Sequence, residues 1–303
     1  MEFTPKKRFF TFIRGLQNDI CEALEAFEPA EKFIEDRWER TAGGGGWSRV
    51  LKGSTFEKAG VNVSEVHGPV PEVLKGTIPE SAQNFYATGI SLVIHPMNPM
   101  VPTTHANFRY FEVTDENGEI IDQWFGGGAD LTPYYLFEED AAHFHQVLKQ
   151  ACDNHHSEFY NEFKAWCDRY FFNSHRSEHR GIGGVFYDHL RPDEKLSGEA
   201  LESFQKEIAS SFIKAYIPIV EKRLNLDYTP AQKGWQEIRR GRYVEFNLIH
   251  DRGTLFGLKT GGRIESIFMS LPPTVRWEYN HHPEEGTPEA TLLETLTTPK
   301  NWA

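Results

Sequence analysis

The chain has 303 residues, of which 39% are hydrophobic, and it carries a formal net charge of −12. Its length permits one large domain or two of ordinary size, and its 23 Phe, 11 Tyr and 7 Trp provide enough apolar surface for a sizeable core. The acidic excess, which no basic run offsets, argues against a protein that binds nucleic acid non-specifically.

The cysteines and the N-terminal segment bear on the compartment. Cys21, Cys152 and Cys167 are odd in number and lack CxxC spacing, which predicts neither a disulfide framework nor a zinc knuckle. The basic residues at the start are followed by polar and charged ones, and not by the apolar core of a signal peptide. No apolar window of about 18 residues occurs. We therefore expect a cytoplasmic protein without stable membrane insertion.

The N-terminal third of the chain predicts a helix and then strands. A helix is expected over about residues 5–27 because apolar residues recur at helical spacing, at Phe9, Phe12, Ile13, Leu16, Ile20 and Leu24. Strands are expected over residues 33–41, 47–52 and 55–63. The glycine run 43–46 lacks the Lys-Ser/Thr of a phosphate-binding loop, so we interpret it as a flexible turn.

Two alternating segments dominate the centre of the chain. Residues 90–95 and 104–110 alternate apolar and polar positions, as strands with two different faces do. The proline-rich stretch 96–102 predicts a loop between them, and Asn117-Gly118 predicts a hairpin turn before a third strand over 119–124. Pairing of the first two strands would place five side chains on one wall, namely Ser91, His95, His105, Asn107 and Arg109. An amphipathic hairpin with its polar face in water is the alternative.

The C-terminal half predicts a mixture of elements. Two helices are expected within 138–172, a long one over 198–224, a short one from about 229–230 and a last one over 288–296. Strands are expected over 183–187, 242–249, 255–259, 263–270 and 274–279. The sequence therefore predicts a single α+β domain over residues 1–303, with a large antiparallel sheet flanked by helices on both sides.

Three groups of residues suggest chemistry. A row of imidazole, amide and guanidinium on one strand suits an anionic substrate and a proton transfer beside it. Asp130 follows glycines 126–128, which would let a ligand approach closely and donate N–H groups to the carboxylate; an Asp-capped turn is the alternative. Gly261, Gly262 and Arg263 combine backbone N–H groups with a guanidinium, an arrangement suited to carboxylates.

Several ordered motifs resemble those of one enzyme family. They are Gly126-Gly127-Gly128-Ala129-Asp130-Leu131-Thr132-Pro133, His179-Arg180-Gly181-Ile182-Gly183-Gly184, the run 239–254, and Arg263-Ile264-Glu265-Ser266 with Met269-Ser270-Leu271-Pro272. From the first helix to Trp302, the chain resembles the oxygen-dependent coproporphyrinogen III oxidases.

The resemblance implies a reaction in haem biosynthesis. Molecular oxygen would oxidatively decarboxylate the ring A and ring B propionates of coproporphyrinogen III to vinyl groups, giving protoporphyrinogen IX without an organic cofactor. It also implies a homodimer, with about residues 239–278 contributing to the contact.

The resemblance also suggests roles for individual residues. His105 and Asp130 would be catalytic, with His105 as proton donor and Asp130 as acceptor of pyrrole N–H groups. The expected substrate contacts are Ser91, Asn107, Phe108, Arg109, Asp130, Gly261, Gly262 and Arg263. A divalent cation, manganese by preference, is implied on His95, His105, His145 and His175, although manganese sites more commonly include carboxylates.

Two other classes of protein remain alternatives. A tetrapyrrole carrier would bind porphyrin in the same basic pocket without turnover. A metal-dependent hydrolase would use the histidines around an activated water, but the sequence contains no HExxH pair. An anaerobic radical route to the same product would need a cysteine-rich cluster motif, which three scattered cysteines cannot provide.

Overall fold

The computed structural model describes residues 4–194, 196–259 and 261–303. In that part of the chain the helices are α1 (Pro5–Glu25), α2 (Glu138–Asp153), α3 (Phe159–Tyr170), α4 (Gly198–Arg223), α5 (Pro230–Ile249), α6 (Arg252–Lys259), α7 (Ile264–Phe268) and α8 (Pro288–Thr297). The strands are β1 (Ile34–Glu39), β2 (Gly44–Leu51), β3 (Phe56–Pro69), β4 (Asn84–Pro96), β5 (Thr103–Thr114), β6 (Ile120–Thr132), β7 (Phe172–Asn173), β8 (Glu178–His179) and β9 (Gly183–Leu190).

Seven strands form one antiparallel sheet in the order β1-β2-β3-β4-β5-β6-β9. Successive side chains on a strand point to opposite faces. On β5, Ala106 and Phe108 are therefore buried in the main hydrophobic core, whereas His105, Asn107 and Arg109 lie on the other face and are half-buried. We call the first the core face and the second the polar face. The alternation in the sequence predicted both faces.

Helices cover both faces of the sheet, which confirms the predicted α+β class. The core face is packed by α1, α2 and α4, whose residues Ile13, Phe144 and Phe212 join Phe108 in one hydrophobic cluster. On the polar face, Ser266 of α7 makes a 2.8 Å hydrogen bond to Ser48 of β2. The polar side chains near the middle of that face are thus bordered, and not fully covered, by the C-terminal helices.

Helix α1 follows its sequence pattern closely. Pro5 occupies the first turn, where its missing N–H leaves no intrahelical bond unmade. The apolar stripe, including Phe9, Ile13 and Ile20, is almost completely buried. The predictions of α2, α3, α4 and α8 are also confirmed within a few residues.

The prediction of strands between residues 242 and 270 was wrong. Residues 230–249 form one long helix, α5, which opens with a capping box between Thr229 and Gln232. Its buried polar residues recur at helical spacing, at Gln236, Arg240, Tyr243 and Asn247. The two segments that follow are the short helices α6 and α7, and residues 274–279 form no strand. A dense charge pattern is compatible with either period, and here Arg239 and Arg240 pair with carboxylates on two strands, Glu178 of β8 and Glu57 of β3.

Two glycine segments lie largely within strands. Strand β6 continues through glycines 126–128, so Asp130 lies inside the strand and not after it. Strand β2 begins at Gly44, and a Cβ on Gly46 would come within 2.4 Å of the Trp38 ring. Gly43 lies in the turn before β2, as expected, whereas glycines 44–46 lie inside the strand, where Gly46 lets β1 pack closely.

Candidate active site

The polar face carries rows of side chains that run across the strands. Asn62, Ser91 and Asn107 are successive cross-strand neighbours on β3, β4 and β5. The next row along β5 places His105 opposite Asp130 of β6. Directly opposed residues on one face have Cβ atoms about 5 Å apart. The antiparallel register therefore brings together residues that lie up to 68 positions apart, between Asn62 and Asp130.

His105 and Asp130 form the chemical centre of this face. Nδ1 of His105 lies 2.8 Å from Oδ1 of Asp130. The His105 side chain is 22% exposed and that of Asp130 is 2% exposed. Nε2 of His105 makes no hydrogen bond to the described residues, so this nitrogen is the one that a ligand on the open face can reach. An imidazole anchored at one nitrogen and available at the other suits proton transfer.

Arg180 forms a buried ion pair with Asp130. Its Nη2 lies 2.8 Å from Oδ1 and 2.7 Å from Oδ2 of Asp130, and its Nη1 donates to Asn247 of α5. Burial alone would raise the pKa of Asp130, but the charge of Arg180 and the bond from His105 outweigh it and lower that pKa. Asp130 is therefore an ionised carboxylate.

Three aromatic rings enclose the Arg180 guanidinium. Its carbon lies 4.1 Å from the ring centre of Phe171, 4.6 Å from Tyr243 and 4.9 Å from Phe246. A guanidinium is less strongly hydrated than an ammonium and packs well on aromatic faces. This packing explains how an arginine can be buried beneath the site with one carboxylate as its charged partner.

Asp130, the expected acceptor of pyrrole N–H groups, is already engaged by protein donors. Both of its oxygens already accept hydrogen bonds from Arg180, and Oδ1 also accepts one from His105. The residue is 1% exposed. A ligand on the polar face would meet His105 before it met the carboxylate.

Arg109 lies farther along β5 on the same face. Its side chain is 36% exposed and forms an ion pair with Asp188 of β9, with Nη2 2.8 Å from Oδ1. Nη1 also donates to Oδ1 of Asn107 at 3.0 Å. Since His105 and Arg109 are four residues apart on one strand, they are separated by roughly 13 Å.

The other expected substrate contacts are divided between three places. Ser91 lies on the polar face beside Asn107. Phe108 is 1% exposed in the core on the opposite face, because it alternates with Asn107 and Arg109. Arg263 lies 2.5 Å from Asp36 of β1, at the far edge of the sheet, and Gly261 and Gly262 precede it. The structure therefore does not bring the 261–263 segment together with Arg109.

The four histidines expected to bind a metal are also separated. His145 is buried in the helical layer of the core face, where its nitrogens bond to Tyr160 and to the Ile182 carbonyl. His175 bonds to Glu245 and His250 near the surface. In residues 4–194, 196–259 and 261–303, no group of three or more His, Cys, Asp or Glu side chains could hold a metal ion.

His95 lies on the polar face, but both of its nitrogens are engaged. Nε2 donates to the Ser270 carbonyl at 2.8 Å, and Nδ1 lies 3.2 Å from the Thr103 hydroxyl. Burial, reinforced by the charge of Arg240, lowers the pKa of His95 well below its usual range. The ring is therefore neutral and bound to protein groups at both nitrogens. The predicted set of four ligands does not fit a metal.

Two residues of this site were missed in the sequence. Arg180 lies in the quoted His179–Gly184 motif but was not selected, and Asp188 was not considered at all. Arg180 could have been found by the rule that a buried carboxylate needs a cation. Asp188 could not, because the irregular pairing of β6 with β9 that brings it to Arg109 has no local sequence signal.

Comparisons with known proteins agree with the motifs. Residues 8–302 match the family model described as Coproporphyrinogen III oxidase. The chain is 53% identical over 308 residues to coproporphyrinogen-III oxidase 1, chloroplastic, of Arabidopsis thaliana, covering 98% of this chain and 79% of the relative. It is 50% identical over 308 residues to the mitochondrial oxygen-dependent coproporphyrinogen-III oxidase of Rattus norvegicus. That match covers 98% of this chain and 69% of the relative.

The comparisons contradict the cytoplasmic localisation inferred from the sequence. The relatives from Arabidopsis thaliana and Glycine max are named chloroplastic, and the one from Rattus norvegicus is named mitochondrial. Free cysteines indicate a reducing environment and do not say which compartment provides it. Among the described residues, no helix is both long and apolar enough to span a bilayer.

Proposed function

The chain belongs to the coproporphyrinogen III oxidase family, and we propose on that basis that it catalyses the oxygen-dependent conversion of coproporphyrinogen III to protoporphyrinogen IX in haem biosynthesis. The observation that carries the chemistry is the polar face, where an anchored imidazole and a half-exposed guanidinium lie on one strand.

The reaction balances with oxygen as the oxidant. On ring A and on ring B, a propionate loses its carboxyl group as carbon dioxide and one hydrogen from its β-carbon, the carbon bonded to the pyrrole ring, leaving a vinyl group. The two electrons released reduce dioxygen, which takes up the β-hydrogen as a proton and one further proton to leave as hydrogen peroxide. Each turnover at one ring therefore needs a protein group that supplies or carries protons beside the reacting propionate.

Substrate binding is assigned to the exposed part of the polar face. Arg109 binds one propionate carboxylate, which is supported by its 36% exposure and by the charge complementarity between guanidinium and carboxylate. Ser91 and Asn107 supply polar groups along the same face. With one propionate carboxylate at Arg109, a macrocycle lying along β5 would bring another of its propionates near His105.

His105 is the proposed proton donor. In its doubly protonated form, Nε2–H faces the open side while Nδ1–H remains on Asp130. The ionised Asp130 stabilises that cation, and Arg180 keeps Asp130 ionised. Asp130 thus acts through His105, and the ring delivers the proton that reduced oxygen requires.

No step of this proposal uses a metal ion. Because the four histidines do not fit one site, we assign no cation to them. The proposal therefore expects turnover to survive a chelator.

A homodimer is proposed through the 239–278 region. The support is a group of exposed apolar side chains at the end of α5 and beyond, with Leu248 at 41%, Ile249 at 54%, Ile264 at 46% and Trp277 at 53% exposure. Ile249→Glu should shift the mass in solution from dimer to monomer, as measured by light scattering during gel filtration. A wild-type monomer would contradict the proposal.

The test of function is turnover of coproporphyrinogen III in air and under strict anaerobiosis, each with and without chelator. Product is followed by fluorescence after oxidation to the porphyrin. Activity in air and not under anaerobiosis is the expected result. Activity lost on chelation and restored by manganese would refute the metal-free assignment, and bound porphyrin without turnover would favour a tetrapyrrole carrier.

A further inference from the structure

Arg109 has no side chain opposite it on either neighbouring strand. Its cross-strand partners are Gly89 on β4 and Gly126 on β6. The guanidinium lies across Gly126, since a Cβ placed there would come 2.9 Å from Nε of Arg109 and 2.9 Å from Oδ1 of Asp188. The missing side chains let Arg109 reach over one whole strand, but they also leave it without lateral support on β4 and β6.

That support comes from Asp188 on β9. Oδ1 of Asp188 accepts from Nη2 of Arg109 at 2.8 Å. The same oxygen accepts the backbone N–H of His189 at 2.9 Å, which fixes the carboxylate relative to its own strand. The Asp188 side chain is 13% exposed, against 36% for Arg109, so the contact is shielded while part of the guanidinium still faces solvent.

Charge keeps this contact in place. Burial alone would raise the pKa of Asp188, but Arg109 outweighs it and lowers that pKa. A free arginine side chain loses rotamer entropy when it is ordered. An arginine that is already ordered by a neighbouring carboxylate avoids most of that loss when a ligand binds.

We propose that Asp188 is a positioning residue, which holds the Arg109 guanidinium across Gly126 with its exposed edge toward a substrate carboxylate. The inference rests on the proposed function, because it assigns Asp188 a part in binding the same tetracarboxylate. Asp188 itself does not touch the substrate. Its effect passes through Arg109, so it should appear in binding and not in the chemical step.

The experiment compares Asp188→Ala and Asp188→Asn in the full-length protein. Binding is measured as the Kd for coproporphyrin III, a stable tetracarboxylate, and turnover as KM and kcat for coproporphyrinogen III. Asp188→Ala should raise Kd and KM about tenfold and change kcat less than about threefold. Asp188→Asn, whose amide oxygen can still accept from Arg109, should raise them only about threefold.

Asp122→Ala is the matched control. Asp122 lies on β6, outside the proposed site, and its side chain is 14% exposed. Its Oδ1 lies 2.8 Å from Nε of Arg191. Its loss removes a similar ion pair and should leave Kd and KM unchanged. A rise equal to that of Asp188→Ala would show a general effect of charge or folding and would overturn the inference.

A double-mutant cycle tests the route of action. In an Arg109→Ala background, Asp188→Ala should add no further loss of binding, because the residue through which it acts is gone. Additive losses, or an unchanged Kd in Asp188→Ala alone, would overturn the positioning role while leaving the proposed function intact. A wild-type protein that neither binds nor converts the tetrapyrrole would overturn both.

Discussion

His105 and Asp130 are joined by a hydrogen bond of 2.8 Å between Nδ1 and Oδ1. Because an ionised carboxylate can only accept hydrogen bonds, this contact assigns a proton to Nδ1 and leaves Nε2 to the open face. The relationship resembles the orientation of a catalytic imidazole by a buried acid, in which the acid sets the tautomer and stabilises the charged ring.

His105→Gln should lower kcat by about 10²–10⁴ with little change in the melting temperature, because it removes the proton carrier from a half-exposed position. The measurement is steady-state turnover in air, with thermal unfolding as the check on folding. His143→Gln is the control, since His143 makes a surface contact with the Lys214 carbonyl. A kcat within a few-fold of wild type would exclude His105 as proton donor.

Asp130→Ala should affect folding as well as turnover, because it leaves the Arg180 guanidinium buried without its carboxylate. The expected loss is about 3–5 kcal/mol in the free energy of unfolding, measured with denaturant. Asp130→Ala combined with Arg180→Met should recover at least half of it. Asp122→Ala, which breaks a more exposed pair with Arg191, should cost less than about 1 kcal/mol. Equal losses in the single and double variants would contradict this account.

Gly60→Ala should loosen the contact between α7 and the sheet. A Cβ at position 60 would come 1.2 Å from the sulfur of Met269, which is 5% exposed in the turn after α7. The expected cost is about 1–3 kcal/mol of unfolding free energy, and Met269→Ala should suppress it by vacating the space. Gly15→Ala is the control, since nothing lies within 4 Å of its Cβ position in α1. It should stabilise the protein by about 0.5–1 kcal/mol.

Acid should destabilise the protein through His145. Burial lowers the pKa of His145 to about 4, from 6.5. The neutral ring is therefore favoured in the folded state, so its contribution is complete above about pH 6.5 and is lost as the pH falls toward 4. That loss is at most about 3 kcal/mol. Denaturant unfolding between pH 7 and 4 measures it, and His145→Gln, which does not titrate, should flatten the slope in this window. An unchanged slope would contradict the assignment.

The sequence predicted the polar face because strand alternation is a local property. His105, Asn107 and Arg109 share that face as expected, since a period of two needs no knowledge of the rest of the fold. The same logic required Phe108 to face the core. Helix α1 was equally predictable, because one apolar stripe encodes both its period and its buried side.

The remaining errors come from contacts between distant segments. A strand was predicted over 242–249, where the second half of helix α5 lies, and Arg240 just before it is buried against Glu57 of β3. The ion pair of Asp130 was not predicted, because the Arg180 that bonds to its oxygens comes from a loop 50 residues away. Partners of buried charges are set by tertiary packing, which short-range patterns do not contain.

Burial of Arg180 has a consequence for ionic strength. The Arg180 and Asp130 side chains are each 2% exposed, so dissolved ions cannot enter between them, and the field that they create at His105 is nearly independent of salt. Arg109 is 36% exposed, within reach of a counterion atmosphere whose screening length is about 8 Å under physiological conditions. Added salt should therefore weaken binding of the substrate carboxylate by Arg109 and leave proton delivery by His105 unaffected. Salt thus separates the binding part of the site from the proton-transfer part without any mutation.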